Sequence, residues 1–201
     1  MSSRPPEVVL VRHGETEWSR TGKHTGRTDV PLTERGRQDA EAVGIALRAR
    51  RFALVLTSPL QRAAETCRLA GFADVAVERD ELMEWDYGAY EGRTTLEIRR
   101  ERPGWTLWRD GVPAGETTKQ VGARVDCVLE ELRAATGDAA VFAHGHLLRV
   151  LAARWLGLAP NDGRLFALDP ATISALGHER ETSVIRLWNE PSQARPGALP
   201  R

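Results

Sequence analysis

Three short apolar runs most constrain how this chain can fold: EVVLVRH (7–13), ALVLTS (53–58) and DAAVFAH (138–144). Each is too short for a buried helix, and each ends without a polar buffer on arginine, histidine or serine, the pattern of a strand buried on both faces. VAVERD (75–80) reads as a further strand and SVIRLWN (183–189) as a late one. Between them the period changes to that of a helix. TERGRQDAEAVGIALRAR (33–50) places Ala42, Val43, Ala46 and Leu47 on one side, and a second helix is expected from Pro59 to about Ala70. Thr94 and Glu97 form a capping box before a short helix that Pro103 and Gly104 end. Val121, Val125, Val128, Leu129 and Leu132 mark one face of a helix over 118–135, and LLRVLAARWLG (147–157) makes a helix closed by Gly157. Strands alternating with long helices require crossover connections. The expected fold is therefore an α/β three-layer sandwich, a mostly parallel central sheet with helices on both faces.

Ligands of such sheets bind beyond the carboxyl ends of the strands. The first, second and fourth strands should then deliver Arg12 and His13, Ser58 and Arg62, and His144 to one edge. Composition narrows what can bind there. Lysine plus arginine and aspartate plus glutamate both number 28 in the 201 residues, so net charge is zero. No global field gathers nucleic acid or an anionic membrane, and any anion site is local. Cys67 and Cys127 lack ligand-like spacing, so neither a disulfide framework nor a zinc site is expected, and a cytoplasmic location fits. No stretch approaches the roughly 18–20 apolar residues of a membrane span. One domain is expected over 1–201, with its core at about 7–190 and flexible tails at 1–6 and 191–201.

Two guanidinium forks match the equatorial oxygens of a phosphoryl group. The starts of the helices near Pro59 and His146 are expected to add positive potential at the same place. A neutral imidazole can attack phosphorus, and with an ordinary pKa of about 6.5 much of it is neutral at pH 7. His13, followed by a glycine that lets backbone approach the anion, is the candidate nucleophile, and His144 the second group on the phosphoryl oxygens. Protonating the leaving oxygen calls for a carboxyl group. In ELMEWDYGAYEG (81–92), Glu84 lies between Met83 and Trp85, an apolar setting that raises a carboxyl pKa on burial, with Glu81, Asp86 and Glu91 as rivals.

RHGETEWS, HTGRTDVPLT, SPLQRAAET, EWDYGAYEG, GET at 115–117 and FAHGH, taken in this order, resemble the histidine phosphatase superfamily, in its phosphoglycerate mutase-like branch, from about Val8 to Asn189. The resemblance implies a phosphohistidine at His13, phosphate contacts from Arg12, Arg62 and His144, and proton donation by Glu84. It further implies substrate contacts from Thr25 and Gly26, the latter through its backbone, and from Gly145 and His146. Ser19 stands where many members have asparagine; it can still donate to phosphate, with a shorter reach. Within the branch the chain is similar to a group that includes sedoheptulose-1,7-bisphosphatase and actinobacterial broad-specificity acid phosphatases, which implies that Tyr87 lies in the substrate pocket.

The expected activity is hydrolysis of a small phosphate ester, a sugar phosphate or bisphosphate, without metal or cofactor, by a monomer or homodimer that binds neither nucleic acid nor membrane. A phosphoglycerate mutase and a non-catalytic phosphate-binding regulatory module are the alternatives. H-G-H at 144–146 offers two metal ligands at most. His146 is read equally as a pocket residue or a helix start. His24 is expected to face water, with contact to a second phosphate as the alternative, His178 to sit in a surface turn, and RRERP (99–103) to form a solvated helix face, with guarding the mouth of the site as its alternative.

Overall fold

The computed structural model describes residues 6–192, so all but residues 6, 191 and 192 of the expected tails at 1–6 and 191–201 lie outside the described residues. In chain order the elements are β1 (Val8–Arg12), α1 (Glu17–Thr21), α2 (Glu34–Leu47), β2 (Leu54–Thr57), α3 (Gln61–Leu69), β3 (Ala76–Glu78), α4 (Thr95–Glu101), α5 (Leu107–Asp110), α6 (Thr118–Ala134), β4 (Ala139–Ala143), α7 (Gly145–Trp155), β5 (Thr172–Glu179) and β6 (Thr182–Pro191). The strands form one sheet in the order β3-β2-β4-β1-β5-β6. The first four are parallel neighbours; β5 pairs antiparallel with β1, and β6 antiparallel with β5. This is the expected sandwich with an antiparallel extension.

Alternation along each central strand divides the core between the two faces. Val8, Leu10, Leu56 and Val141 join Val121, Val125, Val128 and Leu129 of α6 and Leu147, Leu148 and Leu151 of α7. Val9, Val11, Val55, Ala140 and Phe142 meet Val43 and Leu47 of α2 and Cys67 of α3. Each fully buried valine or leucine contributes about 1.5–3 kcal/mol, which is why a run of only four or five residues holds its place. Helix starts follow the capping residues: Thr33, Thr94 and Thr117 each accept a backbone N–H three residues on.

Three local expectations need correction. The helix after β2 starts at Gln61, not Pro59; Leu60 is its extended N-cap residue. His178 is not in a turn. It lies on β5, paired with Ser183, with its ring 5.0 Å from that of Trp155, and the turn comes later, at Arg180 with φ 54°. The last strand also runs beyond 189 to Pro191, where a tail was expected to begin.

Candidate active site

The parallel order puts the carboxyl ends of β1, β2 and β4 side by side, with Arg12 in register with Ala143. His13 follows directly, its backbone N–H donating to the Ala143 carbonyl at 3.0 Å. Its ring Nδ1 lies 2.7 Å from the Gly14 carbonyl. A carbonyl only accepts, so Nδ1 carries the proton and Nε2 the lone pair. Gly14 donates its N–H to Thr66 Oγ1 at 3.0 Å. A Cβ on Gly14 would meet the Gly36 carbonyl oxygen at 2.3 Å, and one on Gly36 the Glu15 carbonyl oxygen at 2.2 Å, so the loop after β1 lies backbone against backbone on the first turn of α2. Burial, with the charges of Arg62 and Arg12 nearby, holds His13 well below the usual histidine pKa and so neutral.

Around this ring stand the other predicted anion ligands. His144, the N-cap residue of α7, has its ring centroid 5.2 Å from that of His13, and its Nε2 lies 2.8 Å from Ser58 Oγ. Arg62, fully buried, donates to the carbonyls of Thr25, Gly26 and Thr28, fastening that loop to α3. Arg12 donates to the Leu168 carbonyl. Among the described residues, the buried side-chain polar atoms without a hydrogen-bond partner are Arg12 Nε, Arg62 Nε and His144 Nδ1. An unpaired buried donor costs about 1–3 kcal/mol, so the two guanidinium N–H groups mark a place shaped for an acceptor, while His144 Nδ1 donates or accepts according to the tautomer its bond to Ser58 sets.

Glu84 is buried, but its surroundings differ from the apolar setting expected. Oε1 accepts from the backbone N–H groups of Trp85 and Leu147 and Oε2 from that of His146, at 2.9–3.0 Å. Two N–H groups in the first turn of α7, those of His146 and Leu147, are thus spent on Glu84, and Gln61 at the start of α3 donates its N–H to Asp29 Oδ1 at 2.8 Å. These three N–H groups therefore face carboxylates and not phosphate, because unpaired N–H donors at a helix start draw the nearest anions, while Gly145, the first residue of α7, lines the cavity. Of the four rival carboxyls, Glu84 is the one on the cavity wall. Glu91 Oε1 accepts from the N–H groups of Gly26 and Thr28, and Asp86 Oδ1 from that of Gly88.

A cavity of about 250 Å³ opens beside His13, lined also by Arg12, Ser19, Lys23, His24, Thr25, Glu84, Tyr87, Gly145, His146 and Arg149. Two predicted contacts are already committed elsewhere. Ser19 Oγ donates to the Thr16 carbonyl and accepts from the Thr16 N–H in the capping box of α1. Gly26 gives its N–H to Glu91 and its carbonyl to Arg62, so its backbone holds the loop and does not face the cavity. Its smallness is needed there, because a Cβ would fall 2.5 Å from the Trp85 carbonyl oxygen. His146 resolves both of its readings, since it lies in the first turn of α7 and on the cavity wall. His24 does not face water: it is buried, with its ring 4.8 Å from that of Tyr87 and 5.6 Å from that of Trp105. Arg149 was not anticipated; it sits one helical turn after His146, with its guanidinium over the Trp108 ring at 4.7 Å. The arginines at 99, 100 and 102 are exposed, as a solvated face requires.

Burial lowers the pKa of His24 to about 4 and holds those of His144 and His146 well below the usual value. The unfolded chain takes up these protons near pH 6.5 while the folded one resists, so stability is lost as pH falls from about 6.5 toward 4. For His24 alone this amounts to about 3 kcal/mol by pH 4. The melting temperature is expected to drop between pH 7 and 5, with a shallower slope in His24→Phe. An unchanged slope in that variant would show that the ring is not buried neutral.

A model of the histidine phosphatase superfamily (branch 1) matches residues 8–191. An acid phosphatase of Mycobacterium tuberculosis is 39% identical over 206 residues, covering 98% of this chain and 100% of that protein. A sedoheptulose 1,7-bisphosphatase of Saccharomyces cerevisiae is 38% identical over 191 residues, 79% of this chain and 70% of that protein. The solved structure of the open reading frame Rv3214 from Mycobacterium tuberculosis superposes with a TM-score of 0.89 at 37% identity, covering 94% of this chain and all of that one.

Proposed function

Because the chain belongs to the histidine phosphatase superfamily, branch 1, we propose that it hydrolyses small phosphate monoesters through a phosphohistidine at His13. The observation that carries this reading is the placing of two unpartnered guanidinium N–H groups, on Arg12 and Arg62, and the unpartnered Nδ1 of His144 beside an imidazole whose Nε2 has the free lone pair. Nε2 attacks phosphorus, and the bond to the ester oxygen breaks as the guanidinium groups take up the charge of the transferring group. Oε2 of Glu84, which has a single N–H partner, carries the proton to the leaving oxygen. The same oxygen then accepts a proton from the water that attacks phosphohistidine, and inorganic phosphate leaves.

Sugar phosphates or bisphosphates are the substrates the cavity suits. Neutral hydrogen-bonding side chains line its wall, and Lys23 and Arg149 supply cations besides those near His13. The acid phosphatase and the sedoheptulose 1,7-bisphosphatase named above support the same class. Incubation with sugar mono- and bisphosphates and with 3-phosphoglycerate tests the reading: free phosphate is expected, and isomerised product without phosphate release would assign a mutase. Among the described residues no group of three or more His, Cys, Asp or Glu is arranged to hold a metal ion. Turnover is expected to be unchanged by EDTA. A rate lost to the chelator and restored by divalent metal would overturn the metal-free mechanism.

A further inference from the structure

Two imidazoles on the cavity wall have no part in the phosphoryl chemistry. The rings of His24 and His146 lie with centroids 6.2 Å apart and planes at 41°. Each has one nitrogen engaged by the protein: His146 Nδ1 with the Tyr87 hydroxyl at 2.6 Å, and His24 Nε2 with Thr95 Oγ1 at 3.3 Å. Among the described residues the second nitrogen of each ring has no hydrogen-bond partner, and neither is among the fully enclosed atoms. Both rings line the cavity.

Their positions are set firmly. His24 is held edge-on to Trp105 and beside Tyr87, while its backbone exchanges hydrogen bonds with the neighbouring loop, its N–H donating to Arg93 and its carbonyl accepting from Gly92. The phenol is the stronger donor of its pair, so it gives its proton to Nδ1 of His146 and leaves Nε2–H as a donor. His24 Nε2 shares a hydrogen bond with the Thr95 hydroxyl, which can run in either direction, so Nδ1 is left to accept or to donate according to the tautomer. Both free nitrogens thus belong to rings on the wall of one cavity. A hydroxyl both accepts and donates, so it can bond the free nitrogen of either ring whichever tautomer that ring holds. An ionised oxygen has no proton to give and satisfies only a nitrogen that donates.

We propose that His24 and His146 read a free hydroxyl of the leaving group, so that phosphate esters of polyols are preferred over aryl or simple alkyl esters. The inference rests on the phosphatase reading and adds a specificity-determining residue, His24, to it. Both rings are neutral for the reason already given, burial, so the selection is by hydrogen bonding and not by charge. The rigid packing lets the pair act without first being ordered by the substrate.

The test compares kcat/KM for glycerol 3-phosphate, n-propyl phosphate and 4-nitrophenyl phosphate in the wild type, His24→Phe and His24→Asn. Phenylalanine keeps the ring packed on Tyr87 and Trp105 without nitrogen; asparagine returns a polar atom close to the position of Nδ1. The wild type is expected to favour glycerol phosphate over propyl phosphate about ten-fold, the usual effect of one neutral hydrogen bond. In His24→Phe the ratio of glycerol phosphate to 4-nitrophenyl phosphate is expected to fall about ten-fold, with partial recovery in His24→Asn. No wild-type preference for the polyol, or equal losses on all three esters, would overturn the proposal while leaving a phosphatase. A wild type that releases phosphate from none of them would overturn the phosphatase reading itself. Melting curves identify a variant that fails to fold, in which case the wild-type comparison with propyl phosphate decides.

Discussion

His13→Ala is expected to reduce turnover to below about one thousandth of the wild-type rate, because the remaining cradle can bind phosphate but has no atom that attacks it. Incubation with ³²P-labelled substrate should label the wild type in acid-labile form and leave the variant unlabelled. Label retained on the variant would place the nucleophile elsewhere. The folded protein should survive the change, since the ring's hydrogen bond is to its neighbour's carbonyl at 2.7 Å, and the contacts that hold the loop are made by Gly14. The depressed pKa of His13 adds a pH signature: an imidazole that resists protonation stays nucleophilic below pH 6.5, so the acid limb of kcat/KM should lie below that value. A limb at or above pH 6.5 would contradict the buried, arginine-flanked setting.

Glu84→Gln carries the second large effect, and the choice of substrate separates its two roles. If Glu84 protonates the leaving oxygen, hydrolysis of a sugar phosphate should fall by about 10²–10⁴, whereas 4-nitrophenyl phosphate, whose leaving group needs little help, should lose far less. The amide also places N–H₂ against one of the N–H groups that Glu84 now receives from Trp85, His146 and Leu147. Equal losses on both esters would therefore assign Glu84 to holding the first turn of α7, and the acid would have to be sought elsewhere.

The layers of the fold were legible because β1, β2 and β4 are short apolar runs and α2, α6 and α7 keep a helical period. β5 was not. ATISALGHE mixes serine, alanine and glycine with few branched residues, yet Thr172–Gly177 is buried because β1 and β6 flank it on both sides. That pairing, and not local propensity, makes it a strand. In the site, the meeting of Arg12, His13 and His144 followed from strand direction, and Arg62 joins them from the first turn of the helix after β2. The surroundings of His24 did not, since GKHTG reads as a polar loop until Tyr87 and Trp105, distant in sequence, close over the ring. Arg149 was hidden in the apolar pattern of α7, where one charged residue reads as a solvated edge. Ser19 shows the converse: it lines the cavity, but its hydroxyl is also used by the turn that carries it.

The contact between Gly14 and Gly36 sets a limit on how this protein can vary. Where two main chains touch with no side chain between them, there is no rotamer to adjust and no void to fill, so the smallest addition must move a backbone. Position 36 has no atom in the cavity and performs no chemistry, yet even a methyl group there would lift the segment that aims the attacking nitrogen. Tolerance to substitution along α2 should therefore track distance from this point of contact and not distance from the substrate.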